Sequence, residues 1–181
     1  IVCGGCVYAS FLSSGDNSCP FCREPWPKNK EIKKRLMKRI KANDPAALSF
    51  MGGKYCDSEG DYKGAFEYYT RAAELGDVGS HCMVGDMYLR GVGVDKDVEK
   101  AIYHLEIAAI GGHPTARQYL AAIEERNGHA QRAVKHLIIA ANLGNEGAMK
   151  ALWTEFKDGN ITKKDLDTTL RTHHAAIDEM K

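Results

Sequence analysis

Three closely similar segments recur along the chain at intervals of 36 and 32 residues. They read AAELG at residues 72–76, AAIGG at 108–112 and AANLG at 140–144. Each has an alanine seven positions before its first alanine, and a large apolar side chain follows that earlier alanine by four positions (Tyr69, Leu105 and Leu137). Spacings of four and seven place side chains on one helix face, and glycine readily takes the left-handed conformation that ends a helix. The segments predict three equivalent helices, each ending at a glycine.

A second helical pattern precedes each of these segments. It consists of a small residue, a larger apolar residue four positions later and an aromatic residue four positions after that, as in Ala47–Met51–Tyr55, Ser80–Val84–Tyr88 and Ala148–Leu152–Phe156. Ala116–Leu120–Glu124 departs from it only at the last position. One such helix pair cannot bury its apolar face alone, whereas three or more stacked pairs can. Because strand patterns are almost absent from residue 45 onward, we expect an all-α stack of helix pairs.

This pattern resembles the Sel-1-like repeat family, an irregular relative of the tetratricopeptide repeats. Residues 80–113 resemble it best, through Val-Gly-x-x-Tyr, the loop with Gly91, Gly93 and Val94, and a second helix that starts with Asp97, Lys100 and Ala101. We expect repeats at about 45–77, 78–113, 114–145 and 146–181. The last would act as a cap, since Thr168 stands where alanine is expected.

The resemblance implies a right-handed α-solenoid of about four antiparallel helix pairs over residues 45–181. It also implies a concave face that binds other proteins, without chemistry of its own. The sequence agrees, because residues 45–181 contain no HExxH, GxSxG or GxxxxGK[ST] motif. We therefore expect a protein–protein interaction scaffold or adaptor.

The first 27 residues contain two cysteine pairs with the spacing of metal ligands. Cys3 and Cys6 form one pair, and Cys19 and Cys22 form the other after twelve intervening residues. Paired thiolates on tight turns are typical of structural zinc sites. Two interpretations fit: the four cysteines bind one zinc ion, or the segment is the end of a larger zinc module.

The second interpretation rests on a resemblance to the end of a RING-type zinc finger, including its Cys-Pro-x-Cys sequence followed by Arg. That family interleaves its ligands, so each visible pair would share a zinc ion with ligands located before Ile1. Pro20 would contact a ubiquitin-conjugating enzyme, and Arg23 would hydrogen-bond that enzyme and ubiquitin together. The alternative function is thus a RING-type ubiquitin ligase whose repeats recruit the substrate, although this fragment alone is expected to be inactive.

Residues 28–44 are predicted to form a basic linker helix with a narrow apolar stripe of Ile32, Leu36 and Ile40. Residues 28–41 hold eight Lys or Arg and one Glu, whereas the chain as a whole has a net charge of +1. The helix could contact an acidic partner or anionic lipid, or pack as a solvated linker. A net charge near zero argues against a dedicated nucleic-acid binder.

The remaining candidate residues have structural interpretations. His104 and His136 occupy one repeat position, which favours a packing role, and adjacent His173 and His174 do not face a common site. Cys56 and Cys82 are expected to be small buried residues. The sequence has no run of 18 apolar residues, so no transmembrane segment is predicted. Paired thiols favour a reducing, cytoplasmic compartment.

Overall fold

The computed structural model describes residues 29–179, apart from the side chains of residues 29–32, 58 and 59. The chain divides into two compact units, residues 1–42 and 43–181. In the first unit, the described residues form one helix, α1 (Asn29–Lys41), as predicted for the basic segment. The predicted zinc segment, residues 1–27, lies outside the described residues.

The second unit is a succession of helix pairs. Its helices are α2 (Pro45–Lys54), α3 (Tyr62–Glu74), α4 (Val78–Arg90), α5 (Val98–Ile110), α6 (Pro114–Arg126), α7 (Ala130–Asn142), α8 (Glu146–Lys157) and α9 (Lys163–Glu179). A π-helical turn, Tyr55–Glu59, extends α2. Each helix packs on the next, and α4 also contacts α6 while α7 contacts α9. The first helices of the pairs are α2, α4, α6 and α8, and the second helices are α3, α5, α7 and α9. This arrangement confirms the all-α solenoid that the sequence predicted.

The periodic small and bulky residues form the core. Ala65, Ala101 and Ala133 of the second helices are at most 1% exposed, and Leu105 and Leu152 are fully buried. The glycines that close the second helices, Gly76, Gly112 and Gly144, have φ angles of 88°, 84° and 82°. These are the left-handed helix ends that the sequence predicted.

A glycine inside two of the first helices permits close packing within the helix pair. A Cβ atom on Gly85 would lie 2.7 Å from Cγ of Leu105, and one on Gly52 would lie 2.9 Å from the Tyr69 ring. Both distances are shorter than a van der Waals contact. The Val-Gly-x-x-Tyr glycine is therefore required for space, because α4 and α5 meet at this point.

The loop between α4 and α5 also needs a glycine. Gly93 has a φ angle of 75°, and a Cβ atom there would collide with the Tyr62 carbonyl at the start of α3. The loop thus packs on the preceding helix pair. Gly91, the other glycine of this loop, has a different role, because it ends α4 in a left-handed conformation.

Polar side chains close both ends of many helices. Asp77 Oδ2 accepts a hydrogen bond of 2.7 Å from the Ser80 amide at the start of α4, and Asn145 caps α8 in the same way. At the ends of second helices, Arg117 Nη2 donates to the Ala109 carbonyl at 3.2 Å, and His173 Nδ1 donates to the Ala141 carbonyl at 2.8 Å. Side chains from neighbouring helices thus add a second hydrogen bond to carbonyls that already accept one from the Gly112 and Gly144 amides.

Candidate interaction surface

The first helices present one apolar position to solvent in successive pairs. Phe50 and Met83 are 41% and 37% exposed, and Tyr119 at the equivalent position is half-buried. Each lies three positions after a small buried residue of its helix. Because the three positions are equivalent in successive first helices, we expect the side chains to lie along one surface of the solenoid. We call Phe50, Met83 and Tyr119 the apolar row.

A polar network borders the apolar row. Arg90 Nε donates to Asp86 Oδ1 at 2.8 Å, and Arg90 Nη2 donates to the Tyr119 hydroxyl at 3.4 Å. These bonds raise the pKa of Arg90, first through Tyr119 and then through Asp86. Burial raises the pKa of Tyr119, so its hydroxyl keeps its proton at neutral pH. The network links α4 to α6 and fixes one side of the apolar row.

The second helices also expose apolar residues, and Tyr62 and Val98, at one repeat position, are 47% and 43% exposed. Tyr103 and Ile110 of α5 are 60% and 83% exposed, while Leu75 and Leu143 follow the ends of α3 and α7. At the positions equivalent to Tyr103 and Ile110, the neighbouring helix pairs have charged or polar residues. Tyr103 and Ile110 therefore do not belong to a row of one repeated position.

An open cleft lies beside the first helix pair. It has a volume of about 270 Å³ and is lined by Tyr55, Asp61, Gly64, Glu67, Tyr68 and Arg71. Pockets for small molecules usually enclose about 300–1,000 Å³ and are mostly apolar. The small volume and mixed charges of this cleft do not fit such a pocket.

Two histidines face each other between α4 and α5. His81 Nδ1 and His104 Nδ1 are 3.0 Å apart, so one ring donates a hydrogen bond to the other. The His104 ring also stacks on Tyr88, with ring centroids 6.0 Å apart. Burial lowers the pKa of both histidines, and the proximity of His81 lowers that of His104 further. The pair is therefore neutral at physiological pH.

The cysteines of the second unit are not activated nucleophiles. Burial, reinforced by Asp86, raises the pKa of Cys82 to about 12, and this residue is 3% exposed. Burial also raises the pKa of Cys56, which is half-buried rather than fully buried as expected. Both residues are thiols at neutral pH, and a thiol is a weak nucleophile.

The structure places only some of the residues singled out in the sequence. The four cysteines of the zinc prediction lie outside the described residues, as do Pro20 and Arg23. His173 is buried and bonded to Ala141, whereas the adjacent His174 is exposed. Within the described part of the chain, no three His, Cys, Asp or Glu side chains are placed to hold a metal ion. Nor does any helix of that part have the length and apolar character of a membrane span.

Comparison with known proteins agrees with this architecture. The Sel1 repeat family matches residues 45–77, 79–113 and 124–145. The second unit is therefore an α-solenoid that contains Sel1 repeats. No protein of curated function matches the chain.

Two solved structures share the fold. A Sel1 repeat protein from Oxalobacter formigenes is 28% identical, with a TM-score of 0.68, and the match covers 84% of this chain and 66% of that one. The protective antigen c5321 of uropathogenic Escherichia coli strains, which displays an SLR fold, is 22% identical, with a TM-score of 0.64. That match covers 82% of this chain and 33% of the antigen, so this chain spans less than two thirds of either protein.

The apolar row and its polar network were missed in the sequence. A detectable pattern existed for the row, because Phe50, Met83 and Tyr119 each follow the first small residue of the repeat by three positions. The bond between Arg90 and Tyr119 had no such pattern, since it joins residues 29 positions apart.

Proposed function

We propose that the solenoid is a protein-interaction scaffold and that its partner binds across the apolar row. The observation that supports this most directly is the repeated exposure of a large apolar side chain at one position of successive first helices. Exposed apolar side chains grouped on one surface commonly mark interaction sites, and stacked repeats provide extended surfaces of this kind. The partner's contact segment would be apolar, with a donor or acceptor for Asp86 or Arg90.

A peptide-display selection on the chain tests this proposal. We expect the selected peptides to bind Met83→Ala/Tyr119→Ala at least tenfold more weakly than the unmodified protein. Tyr103→Ala/Ile110→Ala removes two side chains of α5 that are even more exposed, at 60% and 83%, and is the control. Circular dichroism would establish that both variants are folded. Peptides that bind the first variant normally but lose affinity for the control would contradict the proposed surface.

A second candidate function rests on the amino-terminal sequence. We propose that Cys3, Cys6, Cys19 and Cys22 bind zinc, either as one four-cysteine site or as part of a RING-type module. The support is the paired spacing of thiol ligands and the Cys-Pro-x-Cys-Arg sequence. In the RING-type case, Pro20 and Arg23 would bind a ubiquitin-conjugating enzyme, and the solenoid would recruit the substrate.

Zinc content and ubiquitin transfer distinguish these possibilities. A single four-cysteine site predicts one tightly bound zinc ion per chain, which Cys19→Ser would abolish. A RING-type module predicts weak zinc binding by this chain, but ubiquitin transfer by the full-length natural protein that Arg23→Ala reduces at least tenfold. Absence of transfer with a panel of conjugating enzymes would exclude the ligase function, while leaving the scaffold proposal unaffected.

A further inference from the structure

We propose that α1 binds anionic phospholipid headgroups at a membrane surface through a lysine stripe. The stripe consists of Lys34, Lys38 and Lys41, whose spacings of four and three place them on one face of the helix. All three lysines are exposed, and so is the neighbouring Lys33. The proposal is independent of the partner that the solenoid binds.

α1 contains one acidic residue, Glu31, and its other charged residues are all basic. Residues 33–41 contain six Lys or Arg and no Asp or Glu. Like charges three or four positions apart destabilise a helix, and Lys34, Lys38 and Lys41 have this spacing. A surface of anionic phosphates would relieve that repulsion. Charge complementarity therefore indicates that the ligand of the lysine stripe is anionic.

The other side of α1 limits how the helix contacts a bilayer. Ile40 is only 6% exposed and Leu36 is half-buried, whereas Met37 is 40% exposed. A buried Ile40 cannot insert among lipid chains. The attraction is then mainly electrostatic, so binding is reversible and falls as salt screens the charges.

The composition of α1 favours a membrane over a nucleic acid. Four of the six basic residues in 33–41 are lysines, and the segment has no Asn, Gln or aromatic residue. Lysine acts as a point charge, whereas arginine offers the planar fork that suits phosphate and base edges. Amide and aromatic side chains are the groups that contact or stack on bases. Clusters of four to eight basic residues on an amphipathic helix are typical of anionic-lipid binding.

Vesicle co-sedimentation of the complete chain tests the proposal. The vesicles would contain phosphatidylcholine alone or with about 30% phosphatidylserine, at low, physiological and high salt. The test variant is Lys34→Gln/Lys38→Gln/Lys41→Gln. Its control is Lys63→Gln/Lys135→Gln/Lys150→Gln, which removes three exposed lysines from the second unit and gives the same net charge. Circular dichroism would verify the helix content of both variants.

We expect binding to the phosphatidylserine vesicles only, with high salt abolishing it. The stripe variant should bind roughly a hundredfold more weakly, and the control should bind within about threefold of the unmodified chain. No binding at low salt, or equal losses in both variants, would overturn the proposal. A chain that ignores the vesicles but binds single-stranded RNA through the stripe would also overturn it, in favour of a nucleic-acid partner.

Discussion

The facing histidines occupy a pair of positions that varies in polarity along the solenoid. The position of His81 in α4 and that of His104 in α5 each recur in the neighbouring helix pairs. The corresponding residue pairs are Leu48 with Tyr68, His81 with His104, and Arg117 with His136. The packing of a buried apolar residue such as Leu48 does not depend on pH. The hydrogen bond between the two imidazoles, in contrast, requires that one of the facing Nδ1 atoms carries a proton and the other does not. In the second helix pair, packing therefore depends on a proton.

The histidine pair predicts a stability that falls in acid. Burial lowers the pKa of both His81 and His104 below the ordinary value of 6.5, so the unfolded chain binds more protons than the folded chain. Their contribution is complete above about pH 6.5 and is lost as the pH falls through the folded-state values. A hydrogen bond with the Ala73 backbone and, next, the charge of Asp77 partly offset this loss, because both favour the charged His81 ring. Urea unfolding measured between pH 7.5 and 5 should show this decline in the free energy of unfolding.

The variant His81→Leu/His104→Tyr copies the first helix pair and isolates this effect. We expect its free energy of unfolding to decline less steeply over the same pH range, with up to two fewer protons bound on unfolding. His113 and His136, whose pKa values burial also lowers, remain in the variant and keep part of the slope. If the free energy of unfolding of the variant fell with pH as steeply as that of the unmodified chain, the facing imidazoles would not be the source of the pH dependence.

His113 is an unusual cap that can be improved. Its Nδ1 accepts a 3.4 Å hydrogen bond from the Ala116 amide, whereas Asp77 and Asn145 make 2.7 Å bonds at the equivalent helix starts. Asn and Asp are among the best N-cap residues. His113→Asn should therefore raise the free energy of unfolding by about 0.5–1 kcal/mol at pH 7. Chemical denaturation would measure it, with the exposed His174→Asn as a control that should change little.

At the level of single helices, much of the structure could be predicted from sequence. Asp97 caps α5 through the Lys100 amide, at the helix start that the family resemblance implied. The closing glycines are left-handed, as the repeated spacings indicated. The π-helical turn Tyr55–Glu59 was not predicted, because the first repeat has a shorter loop and no local pattern marks a π-helix. Contacts such as His81 with His104 depend on how helices pack, which local periodicity does not specify. The zinc segment remains a sequence prediction.

The glycine in α4 gives a prediction about packing within a helix pair. Gly85→Ala should force Leu105 out of place, because its Cβ would lie 2.7 Å from Leu105 Cγ. Overpacking of this kind costs about 1–3 kcal/mol, partly offset by the roughly 1 kcal/mol by which alanine favours a helix. We expect a net loss of up to about 2 kcal/mol in the free energy of unfolding.

A matched substitution in the same helix is available. A Cβ atom on Gly79 would meet its nearest neighbour, Asp77 Oδ2, at 3.5 Å, which is an ordinary contact. Gly79→Ala should therefore be neutral or stabilising in the same denaturation experiment. If Gly85→Ala were as stable as Gly79→Ala, the close approach of α4 and α5 would not limit the sequence at this position.

Across the second unit, stability depends on each helix pair covering the one before it. Met149, Leu152 and Leu166 of the last pair belong to one buried cluster with Val134 and Leu137 of α7. His173 of α9 also bonds the Ala141 carbonyl of α7. In stacked repeats of this kind, stability is roughly a sum of repeat and interface contributions. The last helix pair thus contributes to the stability of the second unit in two ways, by its own folding and by covering α7.

Removal of residues 146–181 should therefore destabilise the repeats that remain. Val134 and Leu137, which are each 5% exposed, would lose their cover from α8 and α9. We expect the thermal midpoint to fall by roughly 10 °C or more, with increased binding of a hydrophobic dye. Leu152→Ala, which leaves the last pair in place, should lower the free energy of unfolding by about 2–5 kcal/mol, and the exposed Trp153→Ala should change it very little. A truncated chain that melts at the original temperature without binding the dye would show that the first three pairs are stable without a cap.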